Sequence, residues 1–130
     1  MGASVEYLNE LSSVILQSAI TVHQEMGPGL LEGVYQQCMI LELRNRGLAV
    51  NQMVPVQLHY KGIPINKDYI IDILVEDEII LELKSVDGLL KVHEAQILSY
   101  LRLTNKRLGF LINFNVPLLK QGFRRFVNNL

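Results

Sequence analysis

The sequence predicts an α/β fold with the element order ααβββαβ, and three observations carry that expectation. Apolar residues recur at helical spacing as far as Arg46. From Val54 to Ser85 they alternate or gather into short oily runs. Helical spacing then returns before one last apolar run from Leu108 to Phe114.

Each element has a local reason. Val5, Leu8, Leu11, Ile15, Ala19 and Val22 make one stripe of a first helix of about twenty residues, stopped by Gly27-Pro28-Gly29. A second helix starts near Leu30, carries Val34, Cys38 and Leu41, and ends at Arg46. Gly47 serves there as the left-handed C-terminal residue, and Arg44 and Arg46 suit the helix dipole. Val54, Val56, Leu58 and Tyr60 alternate with polar residues in a strand that turns at Lys61-Gly62, and Pro55 suggests that it lies at an edge. Tyr69 to Val75 and Ile79 to Ser85 are more evenly apolar, as strands covered on both faces are. Leu89 to Leu103 is the third helix, with Leu90, Ile97, Leu98 and Leu101 as core candidates and His93, Gln96 and Tyr100 along one stripe. After the strand at Leu108, Pro117 and Gly122 break the chain before a short Phe123 to Val127 element of open type.

Residues 1–130 suit one domain, with 49% apolar and 19% charged residues and no repeat or linker. The single Cys38 excludes an internal disulfide and a cysteine-based zinc site. No apolar run reaches the roughly 18 residues of a membrane span. The first residues show neither a secretory signal nor an anchor, so a cytoplasmic location is expected. A formal net charge of −1 means that any basic surface for nucleic acid is local.

The chemistry lies between Tyr69 and Ser85. Asp72 sits inside one apolar run and Glu82-Leu83-Lys84 inside the next. An unpaired buried carboxylate costs several kcal/mol or is neutralised, so these charges need partners. If Glu76-Asp77-Glu78 is a three-residue loop, Val75 pairs with Ile79, and Asp72 lies opposite Glu82 on the face shared by Lys84. Asp72, Glu82 and the Leu83 carbonyl are suitable oxygen ligands for Mg²⁺ or Mn²⁺. Lys84 then positions the attacking water or balances charge on a phosphate. A plain cross-strand salt-bridge cluster explains the same residues without a metal.

The whole set resembles the PD-(D/E)XK nuclease superfamily. Asp72 matches the family's first metal-binding Asp, Glu82 and Lys84 match its E-x-K element, and Glu32 matches the extra acid many members carry on the preceding helix. Gln96-Ile97-Leu98-Ser99-Tyr100 is similar to the Q-x-x-x-Y motif of RecB-like members, and Gly29-Leu30-Leu31-Glu32-Gly33-Val34-Tyr35 to the signature of the GxxExxY proteins. The resemblance implies a restriction-endonuclease-like core with a mixed central sheet flanked by helices. It implies a Mg²⁺- or Mn²⁺-dependent nuclease that hydrolyses phosphodiesters in DNA, less favourably RNA, with water activated by the cation. Asp72, Glu82, Leu83 and Glu32 would serve the metal, Lys84 and Gln96 the reaction, and Tyr100 and Tyr35 the substrate. Arg124 and Arg125, read from their charge alone, are substrate phosphate contacts or solvated charges. Lys120, Lys106, Arg107 and Arg102 are further phosphate contacts or simply solvated charges.

The rival expectation is a catalytically silent module that keeps the fold to bind nucleic acid or protein. A homodimer is considered because so small a domain gains contact area and cutting symmetry from a second copy.

Overall fold

The computed structural model describes residues 2–130, with backbone alone at position 68. Helices α1 (Val5–Met26) and α2 (Glu32–Asn45) precede strands β1 (Val50–Tyr60), β2 (Ile63–Val75) and β3 (Ile79–Lys84). Helix α3 (Lys91–Thr104), strand β4 (Leu108–Asn113), a single 3₁₀ turn (Leu119–Gly122) and strand β5 (Phe123–Val127) complete the chain. The sheet runs in the order β1-β2-β3-β4-β5, with β3 and β4 parallel and the other neighbours antiparallel. A parallel pair needs a crossover, which α3 supplies. The element of open type is therefore the fifth strand.

Local chemistry sets the boundaries. The Ser4 hydroxyl caps α1 by accepting from the Tyr7 N–H at 3.0 Å. Gly47, with φ 85°, lets the chain leave α2. Lys61 and Gly62 both have positive φ, as a two-residue hairpin turn requires, and β2 resumes directly after them. It therefore begins six residues earlier than the apolar run at Tyr69. Pro55 stands on an edge strand, as its missing donor demands.

Two cores sandwich the sheet. Leu8, Leu11, Ile15, Ala19 and Val22 of α1 and Tyr35, Met39, Ile40 and Leu43 of α2 pack on one face, against Ile73, Leu81, Phe110 and Ile112 among others. Ile97, Tyr100 and Leu101 of α3 cover the other, over Val56, Ile71, Leu74, Ile80 and Leu111. Several expected core residues stay outside. Val5 is exposed at the first residue of α1, Leu41 is exposed because α2 buries Tyr35, Met39, Ile40 and Leu43 instead of the predicted stripe, and Leu90, just before α3, and Leu98 within it face solvent. Tyr69 and Ile70 are exposed too, since the outer half of β2 pairs with β1 alone and β3 joins only from Ile73. Among the described residues no helix is long and apolar enough to cross a membrane.

Candidate active site

The loop between β2 and β3 does hold three residues, and Val75 faces Ile79. Pairing continues to Ile73 and Leu81 and stops there. At the next step the side chains replace the ladder. The Asp72 N–H donates to Glu82 Oε2 at 2.8 Å, and the Leu83 N–H donates to Asp72 Oδ2 at 2.8 Å. Each carboxylate thus satisfies the backbone of the neighbouring strand, which accounts for two acids within apolar runs.

The same point is a bend. On the other side of β2 the ladder passes from Gln52 opposite Ile73 to Val54 opposite Ile71, skipping Met53 and Asp72. Met53 has φ 52°, a rare conformation for a residue with a side chain. Ile71 and Ile73, two residues apart, consequently fall in opposite cores. Gln36 of α2 braces the bend, its amide donating to the Asp72 carbonyl at 3.3 Å and lying 3.2 Å from Met53 Sδ.

Electrostatics follow from this geometry. Glu82 is 3% exposed, and its pKa is raised to about 8, first by burial and then by the charge of Asp72. Burial also raises Asp72, against the Leu83 N–H and the Lys84 charge that lower it. Lys84 forms no ion pair within 4 Å among the described residues. The salt-bridge cluster is therefore not what holds these carboxylates. Oδ1 of Asp72 and Oε1 of Glu82 carry no hydrogen bond among the described residues, where no buried polar side-chain atom lacks a partner, so both oxygens reach solvent.

Glu32 opens α2 beside this pair. Its carboxyl is raised chiefly by desolvation, with Lys84 and His93 opposing and Asp72 adding to the shift. Its position comes from the loop before it. The Tyr35 hydroxyl donates to the Gly27 carbonyl at 2.5 Å and accepts from the Leu30 N–H at 3.1 Å, and the Ser85 hydroxyl donates to the Leu30 carbonyl at 2.6 Å. Tyr35 is fully buried and stacks on Phe114 with centroids 4.5 Å apart. It is a brace for the loop, not the substrate contact expected from the motif.

From α3, Gln96 donates to the Tyr100 hydroxyl at 3.2 Å, and both line a groove with Lys84. Tyr100 is buried, and its hydroxyl is pushed up to about 12 by desolvation and by the charges of Glu82 and Asp72. His93 turns Nδ1 to the Leu90 N–H at 3.0 Å, closing the first turn of α3. Arg124 lies 3.5 Å from Glu94 on the α3 side, whereas Arg125 is the next residue of the same strand and points to the opposite face. The two arginines cannot serve one substrate contact together.

Sequence reasoning missed Gln36, Ser85 and Asn113. Gln36 lies four residues after Glu32, hence on its helix face, and that spacing was the available signal. Asn113, buried at the end of β4, bonds both the N–H and the carbonyl of Val86 at 3.1 and 2.9 Å, and so anchors the chain just past Lys84.

The family model of the PD-(D/E)XK nuclease superfamily matches residues 9–126, and the chain belongs to that superfamily. No curated protein and no solved structure matches the chain. Superfamily members generally use divalent metals and act on nucleic acid. Among the described residues no three His, Cys, Asp or Glu side chains stand close enough together to hold an ion. A pair of carboxylates is still a fitting donor set, because Mg²⁺ commonly takes one or two and completes its shell with water and substrate phosphate.

Proposed function

We propose that this chain is a single-domain nuclease that hydrolyses phosphodiester bonds in DNA with Mg²⁺ or Mn²⁺. The observation that supports it best is the pair Asp72 and Glu82, each locked by one oxygen and open at the other, beside Lys84, which has no ion-pair partner among the described residues. Two open oxygens on a rigid bend suit a hard cation, and the Leu83 carbonyl is a third oxygen donor of the same class. A bound divalent cation would supply Lewis acidity toward the phosphate and an acidified water.

The remaining steps belong to the chain's own groups. Lys84 holds a positive charge where the phosphate gains negative charge, and it orients the attacking water. Glu32 adds a partly desolvated carboxyl at the entrance, suited to an outer water of the cation. Gln96, held by Tyr100, orients the groove side of the site. Glu32 with Tyr35 also supports placing the chain among GxxExxY proteins.

The test is cleavage of supercoiled, linear and single-stranded DNA, and of RNA, in Mg²⁺ or Mn²⁺. Activity should fall at least ~100-fold in Asp72→Asn and Lys84→Ala, the scale for losing one preorganised charge. Cleavage that survives in both variants overturns the assignment. Ion and DNA binding without any cleavage would instead identify a silent binding module.

A further inference from the structure

The groove that Lys84, Gln96 and Tyr100 border has a composition that the carboxylate site does not explain. It encloses about 510 Å³ between α3 and the β1–β2 hairpin. Val92, Gln96, Ser99 and Leu103 form one stripe along α3, with Leu58 and Tyr69 as the opposite wall. From Val92 to Leu103 the stripe runs ~16 Å at the rise of an α-helix. Tyr69 is 45% exposed and stands edge to face with the buried Tyr100, centroids 6.1 Å apart.

Charge separates this groove from the rest of the surface. The chain carries 13 acidic residues against 12 lysines and arginines, yet among the described residues no carboxylate lines the groove. Lys84, Arg102 and the His93 imidazole do. Apolar and aromatic walls with cations fit a molecule that has flat apolar faces and an anionic backbone. Unpaired nucleotides have both, whereas in a duplex the base faces are already stacked inside.

We propose that this groove binds a single-stranded stretch of nucleic acid, with one unpaired base against the Tyr69 ring and backbone phosphates toward Arg102 and Lys84. The substrate is then an unpaired strand or a frayed end delivered to the carboxylates, and intact duplex is a poor ligand. The direction follows from Lys84, which belongs to both groove and carboxylate site. This deepens the nuclease reading and rests on it for the meaning of delivery, though not for binding.

The experiment is fluorescence anisotropy without divalent cations, using labelled dT₂₀, U₂₀ and a blunt duplex of 20 base pairs, across salt. Wild type should bind one of the single strands at least ~10-fold tighter than the duplex. The dT₂₀ and U₂₀ arms distinguish DNA from RNA as the source of the strand. Tyr69→Ala should weaken single-strand binding roughly tenfold and leave duplex binding unchanged, and Tyr69→Phe should restore it because the ring is kept. Arg102→Gln should lower the salt dependence by about one phosphate contact. Equal affinity for strand and duplex, or no effect of Tyr69→Ala, overturns the proposal. A cleavage assay on the same oligonucleotides separates the two readings. Binding through Tyr69 with no cleavage sinks the nuclease and leaves the groove standing; cleavage of duplex and strand alike, indifferent to Tyr69, does the reverse.

Discussion

The backbone N–H of Asp72 lies 2.8 Å from the Glu82 carboxylate, while the Asp72 carboxylate takes the N–H of Leu83 at the same distance. Two acids that would repel across an ordinary ladder are here the cross-links between strands. Their protonation is therefore coupled to the stability of the sheet.

In the absence of metal, folded Glu82 holds its proton up to about 8, whereas the unfolded chain releases it near 4.5. Between these values the folded state binds more protons than the unfolded one, so Glu82 lowers stability as pH rises through the window. Glu82→Gln, which keeps a neutral side chain, should gain melting temperature relative to wild type as pH goes from 5.5 to 8.5 in EDTA. A difference that stays constant across pH contradicts the assignment.

Metal should reverse that trend. An ion needs the deprotonated carboxylate, so Mn²⁺ must displace the Glu82 proton below about 8. Calorimetry at pH 7 in buffers of different ionisation enthalpy should report release of close to one proton, and affinity should weaken toward pH 5.5. Binding with no proton release would place the ion elsewhere.

Gln36 predicts an effect through position. Gln36→Leu removes the bond to the Asp72 carbonyl at the bend, costing about 1 kcal/mol in a denaturant melt. Nuclease activity should drop roughly tenfold as Asp72 loses its place. An unchanged rate would show that the bend holds without its brace.

Tyr35→Phe keeps the stack on Phe114 but leaves the Gly27 carbonyl and Leu30 N–H without their partner. The cost should be ~1–3 kcal/mol, the scale for unsatisfied buried polar groups. Proteolysis should then cut first between α1 and α2. Direct loss of DNA affinity without this loosening would return Tyr35 to the substrate side.

Gly122 packs so closely on β4 that an added Cβ would stand 2.1 Å from the Asn113 carbonyl oxygen. Backbone cannot yield as a side chain tip does. Gly122→Ala should destabilise by on the order of 3 kcal/mol, read from the denaturant midpoint.

By itself the sequence determined the order of the elements as far as β4 and placed Asp72, Glu82 and Lys84 on neighbouring strands; their shared face depended on a three-residue β2–β3 loop, which the structure supplies. The order and the placement follow from periodicity and turn chemistry, which act over neighbours in the chain. Helix faces were less legible: Leu41 and Leu98 are as apolar as Leu43 and Leu101, and only the packing partner tells them apart. Tertiary structure alone decided the bend at Met53 and Asp72, the brace from Gln36, the burial of Tyr35 and the groove beside Tyr69. Each of these joins segments far apart in the chain, where steric fit and hydrogen-bond satisfaction, absent from any local pattern, choose the outcome.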